Sequence, residues 1–569
     1  MSRLEEEIAA LLEKGACQEV PFSSPGFYGR LFVVPKLTGG WRPVLDLSRL
    51  NDFLVAPKFR METPTSLREA LRPGDWAASI DLKDAYFHIP IAARDRKWLR
   101  FRWRDKAFQF CALPFGISLA PWLFTKVTGE LGRAARSRGI RLRMYLDDWL
   151  VLSTSEEGCR EHLAVVLELA ESLGFFVNLA KSELVPAQVF SYLGMTFDTL
   201  RWEVKPAAHR LDRLRSRLSA LLAAREASAH DLQALLGTME SLAMLLPLGR
   251  LHKRPLQRAL RARWSQSQPL STMLPLAGWF EEAVSQWRNE VWLQSALPIV
   301  SSAPQVDLFT DASKAGWGAH AEHLVAAGSW SAQESELHIN VLELEAVCRS
   351  VVQFVSFLKG KSVRLMSDNT TVACYVNKQG GARSVDLSLK AEGLLLWCLS
   401  HDIHLTARYV PGKLNVLADS LSRSHMILPT EWTLSREVLE PVWTTWFRPL
   451  VDLFATRFNH RLPVYVSPVP DPAAWAIDAL SVPWSGLQAY AFPPFPLMSK
   501  VLRKVRWERP QLILVAPWWP SQPWFPDLLD LAGGRPPIQL VVGPRALVQP
   551  RSGIPHASPQ VLNLHAWML

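Results

Sequence analysis

Met144-Tyr145-Leu146-Asp147-Asp148-Trp149-Leu150-Val151-Leu152 sets two adjacent carboxylates among apolar, β-favouring residues. The pattern predicts a tight β-hairpin with the acids at its tip. Adjacent acids at a turn repel one another, and a divalent cation is the usual neutralising partner. Upstream, Ala78-Ser79-Ile80-Asp81-Leu82-Lys83-Asp84-Ala85-Tyr86-Phe87 closes another apolar run with an acid. Folded side by side, Asp81 and Asp147 can hold two metal ions roughly 3.5–4 Å apart, a geometry suited to in-line phosphoryl displacement.

The surrounding chain is long enough for several domains. Its 569 residues predict roughly three or four. With 49% hydrophobic and 20% charged residues it has the apolar material of folded domains and not of a disordered chain. A net charge of +10 favours a polyanionic partner without naming one. Cys17, Cys111, Cys159, Cys348, Cys374 and Cys398 form no CxxC pair, so neither a zinc ribbon nor a disulfide framework is expected, and reduced thiols are. Met1–Lys14 carries acids where a secretion signal needs bases. Leu4, Ile8, Leu11 and Leu12 share one helical face there, which predicts an amphipathic helix. No apolar run reaches membrane-spanning length. The expectation is a soluble, cytoplasmic or nuclear, non-secreted protein.

Gly29–Lys36 reads as a strand, Thr38-Gly39-Gly40 as a turn, and Trp41–Leu47 as the returning strand. Lys36 and Arg42 fall near the end of this hairpin. They are either two solvated surface charges or a pair of cations that reach a triphosphate. Asp81 alone reads as a cap or turn residue. Its combination with Tyr145-Leu146-Asp147-Asp148, with Leu113-Pro114-Phe115-Gly116-Ile117-Ser118-Leu119-Ala120-Pro121, with Gly174–Ser182 and with Ser191-Tyr192-Leu193-Gly194 resembles the ordered motifs of reverse transcriptases over residues 10 to 205. The resemblance implies polymerase fingers and palm in residues 1–205. It makes Asp81 and Asp147 metal ligands, with Asp148 supporting. Lys36 and Arg42 would contact the triphosphate, and Asp84 and Ala85 would offer it backbone amides. Tyr86 would stand under the sugar and exclude a 2′-hydroxyl. Phe115 would line the nucleotide pocket, and Lys181 would protonate the leaving pyrophosphate.

Residues 206–304 have helical periodicity: Leu211, Leu214, Leu218, Leu221 and Leu222, then Leu232, Leu235, Leu236 and Met239. Arginines and lysines are dense, including Arg210, Arg213, Arg215, Arg217, Arg250, Lys253, Arg254, Arg258, Arg261 and Arg263. They are solvated helix faces or, after a polymerase palm, a thumb or connection that grips duplex phosphates.

Residues 305–424 repeat the acidic theme. Val306–Ser313 is a strand with Asp311 near its end, and Gly316–Ala319 returns. Asn340–Phe357 is a helix with Glu343 in its first turn. Val363–Asn369 ends in Asp368, and Asn415–Arg423 opens a helix bearing Asp419. Through Thr310–Ser313, Glu343–Ala346, Ser367–Asn369 and Ala418-Asp419 the segment resembles the RNase H family. The resemblance implies a mixed sheet with helices and two-metal hydrolysis, with Asp311, Glu343, Asp368 and Asp419 as ligands. Glu345 is the second choice to Glu343. The loop Val410–Asn415 lacks the histidine many relatives carry, which implies altered rate and not lost activity.

Residues 425–569 are rich in tryptophan and proline. Leu450–Thr456 and Gln511–Pro517 read as strands, and Ala489–Phe495 contains a Pro-Pro-aromatic loop. The order resembles phage-type adenine methyltransferases, with Phe492 where a polar residue is needed. A degenerate α/β domain used for packing or nucleic-acid contact is expected.

The whole chain resembles the polyprotein of DIRS-type retroelements: a multidomain α+β and α/β protein of fingers and palm, helical thumb, RNase H-like domain and α/β tail. The resemblance implies an RNA-directed DNA polymerase that also cleaves RNA–DNA hybrids and uses Mg²⁺, or Mn²⁺ in its place. Its partners would be an RNA template, a DNA primer, the hybrid and deoxynucleoside triphosphates, with no membrane. A separate recombinase is expected elsewhere in such an element. A hybrid-specific nuclease and an inert nucleic-acid-binding remnant are the competing expectations.

Overall fold

The computed structural model describes residues 3–35, 40–55, 57, 59, 61–321, 324–409, 432–468, 471, 473–540, 543, 546–549, 555–556 and 559–569. Two compact units emerge. One comprises Met1–Leu193 with Trp519–Asp530, the other Gly194–Trp518 with Leu531–Leu569.

The first unit opens with the helix Arg3–Glu13, which buries Ile8 and Leu11 but leaves Leu12 39% exposed. It covers a five-stranded sheet ordered Cys17–Val20, Lys106–Phe110, Arg100–Trp103, Tyr28–Pro35, Trp41–Asp46. Alternation along these strands sends Leu31, Leu45, Phe101 and Phe108 into one core. The last two strands form the expected hairpin, with Val34 opposite Arg42.

A second sheet is ordered Arg141–Tyr145, Asp148–Ser153, Trp76–Asp81, Glu183–Ala187, antiparallel throughout. The helices Ala120–Ser137 and Glu156–Ser172 connect its strands, so chain order is β-α-β-β-α-β, the split βαβ topology. Trp149, Leu150, Val151 and Leu152 are each 0% exposed, because their strand is central and covered. Leu142, Val151, Phe124, Leu131, Leu163 and Val166 pack together between helices and sheet. Each such large apolar side chain contributes roughly 1.5–3 kcal/mol, which makes this strand a rigid mount for whatever stands at its end.

In the second unit the helices Ala208–Ala223 and Ala229–Ala243 bury Leu211, Leu214, Leu218, Leu232, Leu235 and Met239, as the periodicity predicts, in a core that Leu256 of the helix Gly249–Arg263 also joins. Leu221 packs at its edge and Leu222 is 36% exposed. Much of the basic run serves the fold itself. Arg254 donates to the carbonyls of Lys378 (2.7 Å) and Gln379 (3.2 Å), Arg258 to Ser388 Oγ (2.8 Å), and Arg261 to the Ala382 carbonyl (3.4 Å). Arg250 and Lys253 pair with Glu240, and Arg215 with Asp212 and Glu290. These cations are held by protein partners.

A five-stranded mixed sheet follows, ordered Leu324–Ser329, Gly316–Ala321, Val306–Ala312, Ser362–Ser367, His404–Tyr409. Its first three strands are antiparallel and its last two join in parallel, which requires the crossover helices Ile339–Gln353, Thr370–Asn377 and Val385–Ser400. A further sheet of this unit has seven strands, ordered Ala476–Ile477, Val464–Ser467, Val451–Asp452, Gln488–Ala491, Gln511–Pro517, Leu564–Met568, Ile538–Gln539. Numbered along the chain this is 3-2-1-4-5-7-6, parallel except for the antiparallel strand Leu564–Met568. The strand expected over Leu450–Thr456 is only Val451–Asp452, because the chain bends at Leu453 and Phe454 and leaves the ladder there.

Candidate metal and nucleotide centres

Asp81 ends its strand directly opposite Asp148, which begins the next. Leu146 and Asp147 make the two-residue turn between Tyr145 and Asp148, so Asp147 is at the tip while Asp148 belongs to the strand. Leu146 adopts φ +52°, a conformation that costs a branched residue of order 1–3 kcal/mol. Its neighbours hold it there: Trp149 Nε1 donates to the Leu146 carbonyl at 2.9 Å, and Leu82 N donates to the Asp147 carbonyl at 3.0 Å. Burial of Trp149 offsets the strain, and the turn presents its acids in one orientation.

Further hydrogen bonds brace the acids. Asn178 Nδ2 donates to Asp81 Oδ1 at 2.9 Å, and Asn178 N to the Asp81 carbonyl at 2.8 Å. Asp81 N donates to Ser182 Oγ at 3.0 Å, and Tyr192 OH to the Asp148 carbonyl at 2.7 Å. The supporting roles of Asn178 and Ser182 are not foreseen from the sequence, where both stand only within the Gly174–Ser182 motif. Their polar side chains beside a strand-end acid were the available signal.

Asp81, Asp147, Asp148 and Asn178 face a cleft of about 610 Å³ also lined by Lys14, Arg42, Lys83, Asp84, Ala85, Phe115 and Lys181, among others. Burial, then the proximity of Asp81, raises the Asp147 carboxyl above its ordinary value. Burial, then Asp147 and Asp81, pushes Asp148 up to about 6. A site that resists carrying its own charge gains from a cation. Arg42 lies 4.8 Å over the Phe115 ring, and Tyr86 packs against Phe115 and Phe124 with ring centroids 4.9 and 5.5 Å away. Asp84 takes φ +56° before the short turn Ala85–His88, and its carboxylate pairs with Lys14 at 2.8 Å, a partner unforeseen in the sequence. Lys36 lies outside the described residues.

In the second unit Asp311, Glu343 and Asp368 bring carboxylate oxygens within 4.8 Å of one another. Strand, helix and strand converge on this point because Asp311 and Asp368 end neighbouring parallel strands over which Ile339–Gln353 crosses. The helix begins at Ile339, so Glu343 lies just past the expected first turn. Glu343 Oε2 is buried without a hydrogen-bond partner, and burial, then Asp368 and Asp311, pushes the carboxyl to about 8. An orphaned buried acid oxygen facing two further acids suits a divalent cation. Glu345 instead pairs with Lys390 (2.6 Å) and Arg349 (3.2 Å), so it is a structural anchor. Asp419 and the loop Val410–Asn415 lie outside the described residues.

Phe492 stands just beyond the strand Gln488–Ala491, beside a cavity of about 440 Å³ also lined by Trp432, Phe454 and Phe495.

Known proteins resemble the part of the chain that holds the first of these centres. Residues 34–197 match the family model described as reverse transcriptase (RNA-dependent DNA polymerase). The enzymatic polyprotein of Cauliflower mosaic virus (strain Strasbourg) is 24% identical over 408 residues, covering 68% of this chain and 56% of its own length. The transposon Tf2-3 polyprotein of Schizosaccharomyces pombe (strain 972 / ATCC 24843) is 24% identical over 406 residues, 68% of this chain and 28% of its own length. The chain thus spans about half the length of the viral relatives it matches. A solved foamy viral protease-reverse transcriptase in complex with dsDNA has a TM-score of 0.44 and 18% identity, covering 73% of this chain and 83% of that one. Among the described residues no helix is long and apolar enough to cross a membrane.

Proposed function

We infer that the chain is an RNA-directed DNA polymerase of a retroelement, with a second centre that cleaves the RNA strand of RNA–DNA hybrids. The observation that carries the reading is the convergence of Asp81, Asp147, Asp148, Arg42, Asp84, Ala85, Phe115 and Lys181 on one cleft at the end of a rigid strand pair.

In the polymerase centre Asp81 and Asp147 would hold Mg²⁺ or Mn²⁺, with Asp148 supporting them from the neighbouring strand. When bound, the ions supply charge neutralisation at the attacking and leaving oxygens. Arg42 binds triphosphate oxygens, its guanidinium oriented by the Phe115 ring. Asp84 and Ala85 offer backbone amides. The Tyr86 ring, clamped by Phe115 and Phe124, blocks the space a 2′-hydroxyl would need. Lys181, on the same cleft, delivers a proton to the pyrophosphate oxygen as it leaves. In the ribonuclease centre Asp311, Glu343 and Asp368 would hold the metal, with Asp419 as a fourth ligand. The buried Glu343 orients the set. An RNA template, DNA primer, hybrid and deoxynucleoside triphosphates are the partners this chemistry needs. A DIRS-type element with a separately encoded recombinase is the source we favour, on the motif order and the Leu450–Thr456 tail; the flanking genomic sequence tests it.

Primer extension on an RNA template and cleavage of a labelled hybrid, each with Mg²⁺, test the enzyme reading. Asp147→Asn is expected to abolish synthesis, by roughly 10³-fold or more, and to spare hybrid cleavage; Asp368→Asn is expected to do the reverse. Cleavage without synthesis in the unsubstituted chain would leave a hybrid-specific nuclease. Absence of both activities in folded protein would leave an inert binding remnant.

A further inference from the structure

Arg141 and Arg143 lie on the palm strand that runs into the Tyr145–Asp148 hairpin, and their side chains are only 5% and 2% exposed. Leu142 and Met144, alternating with them, join the core beneath the two helices, so the arginines occupy the opposite face of the sheet. Arg136, from the helix Ala120–Ser137, is also buried and donates to the Leu142 carbonyl at 3.0 Å. Buried guanidinium groups cost several kcal/mol each unless carboxylates oppose them. Acids elsewhere in residues 1–193 supply part of the balance: Asp75 takes a bidentate contact from Arg141 at 2.7 and 2.6 Å, and Glu62 pairs with Arg136 at 2.8 Å.

The rest comes from the far end of the chain. In the segment Trp519–Asp530, Asp527 accepts from Arg72 at 2.5 and 3.2 Å and lies 3.8 Å from Arg141 and 3.9 Å from Arg143. Asp530 pairs with Arg72 at 3.0 Å, and the Ser521 carbonyl accepts from Arg136 at 3.1 Å. Arg72, Arg136, Arg141 and Arg143 are thereby matched by Glu62, Asp75, Asp527 and Asp530. Trp524, Phe525 and Leu528 are buried at 5%, 0% and 0% exposure, which anchors the segment that delivers Asp527.

We propose that Trp519–Asp530 is an integral part of the palm and that Asp527 is a positioning residue for DNA synthesis, neutralising the arginines on the strand that carries the Asp147 turn. Lacking that anion, Arg141 and Arg143 draw towards solvent, their strand shifts against Asp148–Ser153, and the acids lose register with Asp81. Asp527 is hydrogen-bonded to Arg72 and stands beside Arg141 and Arg143, so it acts through these arginines. The catalytic consequence rests on the polymerase reading above; the docking itself does not.

The experiment uses the full chain with Asp527→Asn, and Asp527→Glu as the conservative variant. Primer extension is resolved into kcat and KM, hybrid cleavage is the internal reference, and hydrogen exchange is followed over residues 141–153. The expected result is a kcat for synthesis lower by about tenfold or more, a nucleotide KM within about twofold, unchanged hybrid cleavage and faster exchange in 141–153. Asp527→Glu should recover most of the rate. Equal losses of both activities, or an unchanged kcat, would overturn the positioning role. Unchanged exchange in 141–153 would overturn the docking, and it does so even if the unsubstituted chain makes no DNA, the outcome that removes the polymerase reading alone. If Asp527→Asn does not fold, the pair Asp527→Asn with Arg143→Met, which removes one cation with the anion, is expected to fold; its failure would also overturn the proposal.

Discussion

Glu343 is 5% exposed and faces Asp311 and Asp368, so its carboxyl titrates near 8 instead of 4.5. A folded-state value above the unfolded one means that the folded chain holds its proton more tightly. The associated stability is present below about 4.5 and is lost as pH rises through about 8. Urea denaturation in metal-free buffer is expected to show the second unit losing on the order of 2–4 kcal/mol over that window. Glu343→Gln should flatten the profile, and Mg²⁺ should restore stability at high pH in the unsubstituted chain far more than in the variant. Identical pH profiles for the two proteins would remove Glu343 from the electrostatic centre. The choice between Glu343 and Glu345 shows how far sequence reached at this scale. Two acids two residues apart on a helix differ by about 200° in direction, yet only the location of Lys390 and Arg349 shows which one the fold has already paired.

At the scale of elements, the Leu113–Pro121 segment is sutured to the first sheet. Leu45 N donates to the Phe115 carbonyl at 2.9 Å, Asn51 Nδ2 to the Gly116 carbonyl at 2.9 Å, and Ser118 N to Asn51 Oδ1 at 2.9 Å. Gly116 has φ +119°, and a Cβ there would stand 1.8 Å from the Leu45 carbonyl oxygen. Gly116→Ala is therefore expected to destabilise the first unit by about 2–4 kcal/mol and to raise the nucleotide KM, since Phe115 loses its place under Arg42. Thermal unfolding and steady-state kinetics check both; an unchanged KM would mean that Phe115 does not line the nucleotide pocket. The motif order made the Leu113–Pro121 segment legible as part of the nucleotide site. The backbone it abuts, some 70 residues earlier, was not. The helix Gly249–Arg263 was equally legible as a helix, but the direction of its cations was not. Charge density reads the same whether a phosphate or a carbonyl of Lys378 is the acceptor.

Across the whole molecule, the mixed sheet and the seven-stranded sheet of the second unit meet through Asp478, which pairs with Arg364 and, at 3.5 Å, with Arg408. Arg364 is 6% exposed and also holds Asp307 at 2.7 and 2.8 Å. Asp478→Asn leaves half of a buried guanidinium unopposed and is expected to cost about 1–3 kcal/mol in the second unit. It should lower hybrid cleavage more than synthesis, because Arg364 sits on the strand that ends beside Asp368. Denaturation monitored together with both activities checks this, and equal losses of the two activities would sink it.

From sequence alone came the order of the motifs, the two groups of acids, the helical periodicity of residues 206–304 and the apolar runs that become strands. All of these are local, written in spacings of two to four residues or in short runs, and burial of apolar side chains enforces them wherever the chain folds. Tertiary structure alone decided which charges meet. Asp527 with Arg72, Asp478 with Arg364, and Lys14 with Asp84 join residues far apart in the chain, and no periodicity records such a pairing. The acid turn at Tyr145–Asp148 belongs to both accounts. Its residues announce a charged hairpin, and the strain at Leu146, the brace from Leu82 and the buried arginines behind its strand exist only once distant segments have closed around it.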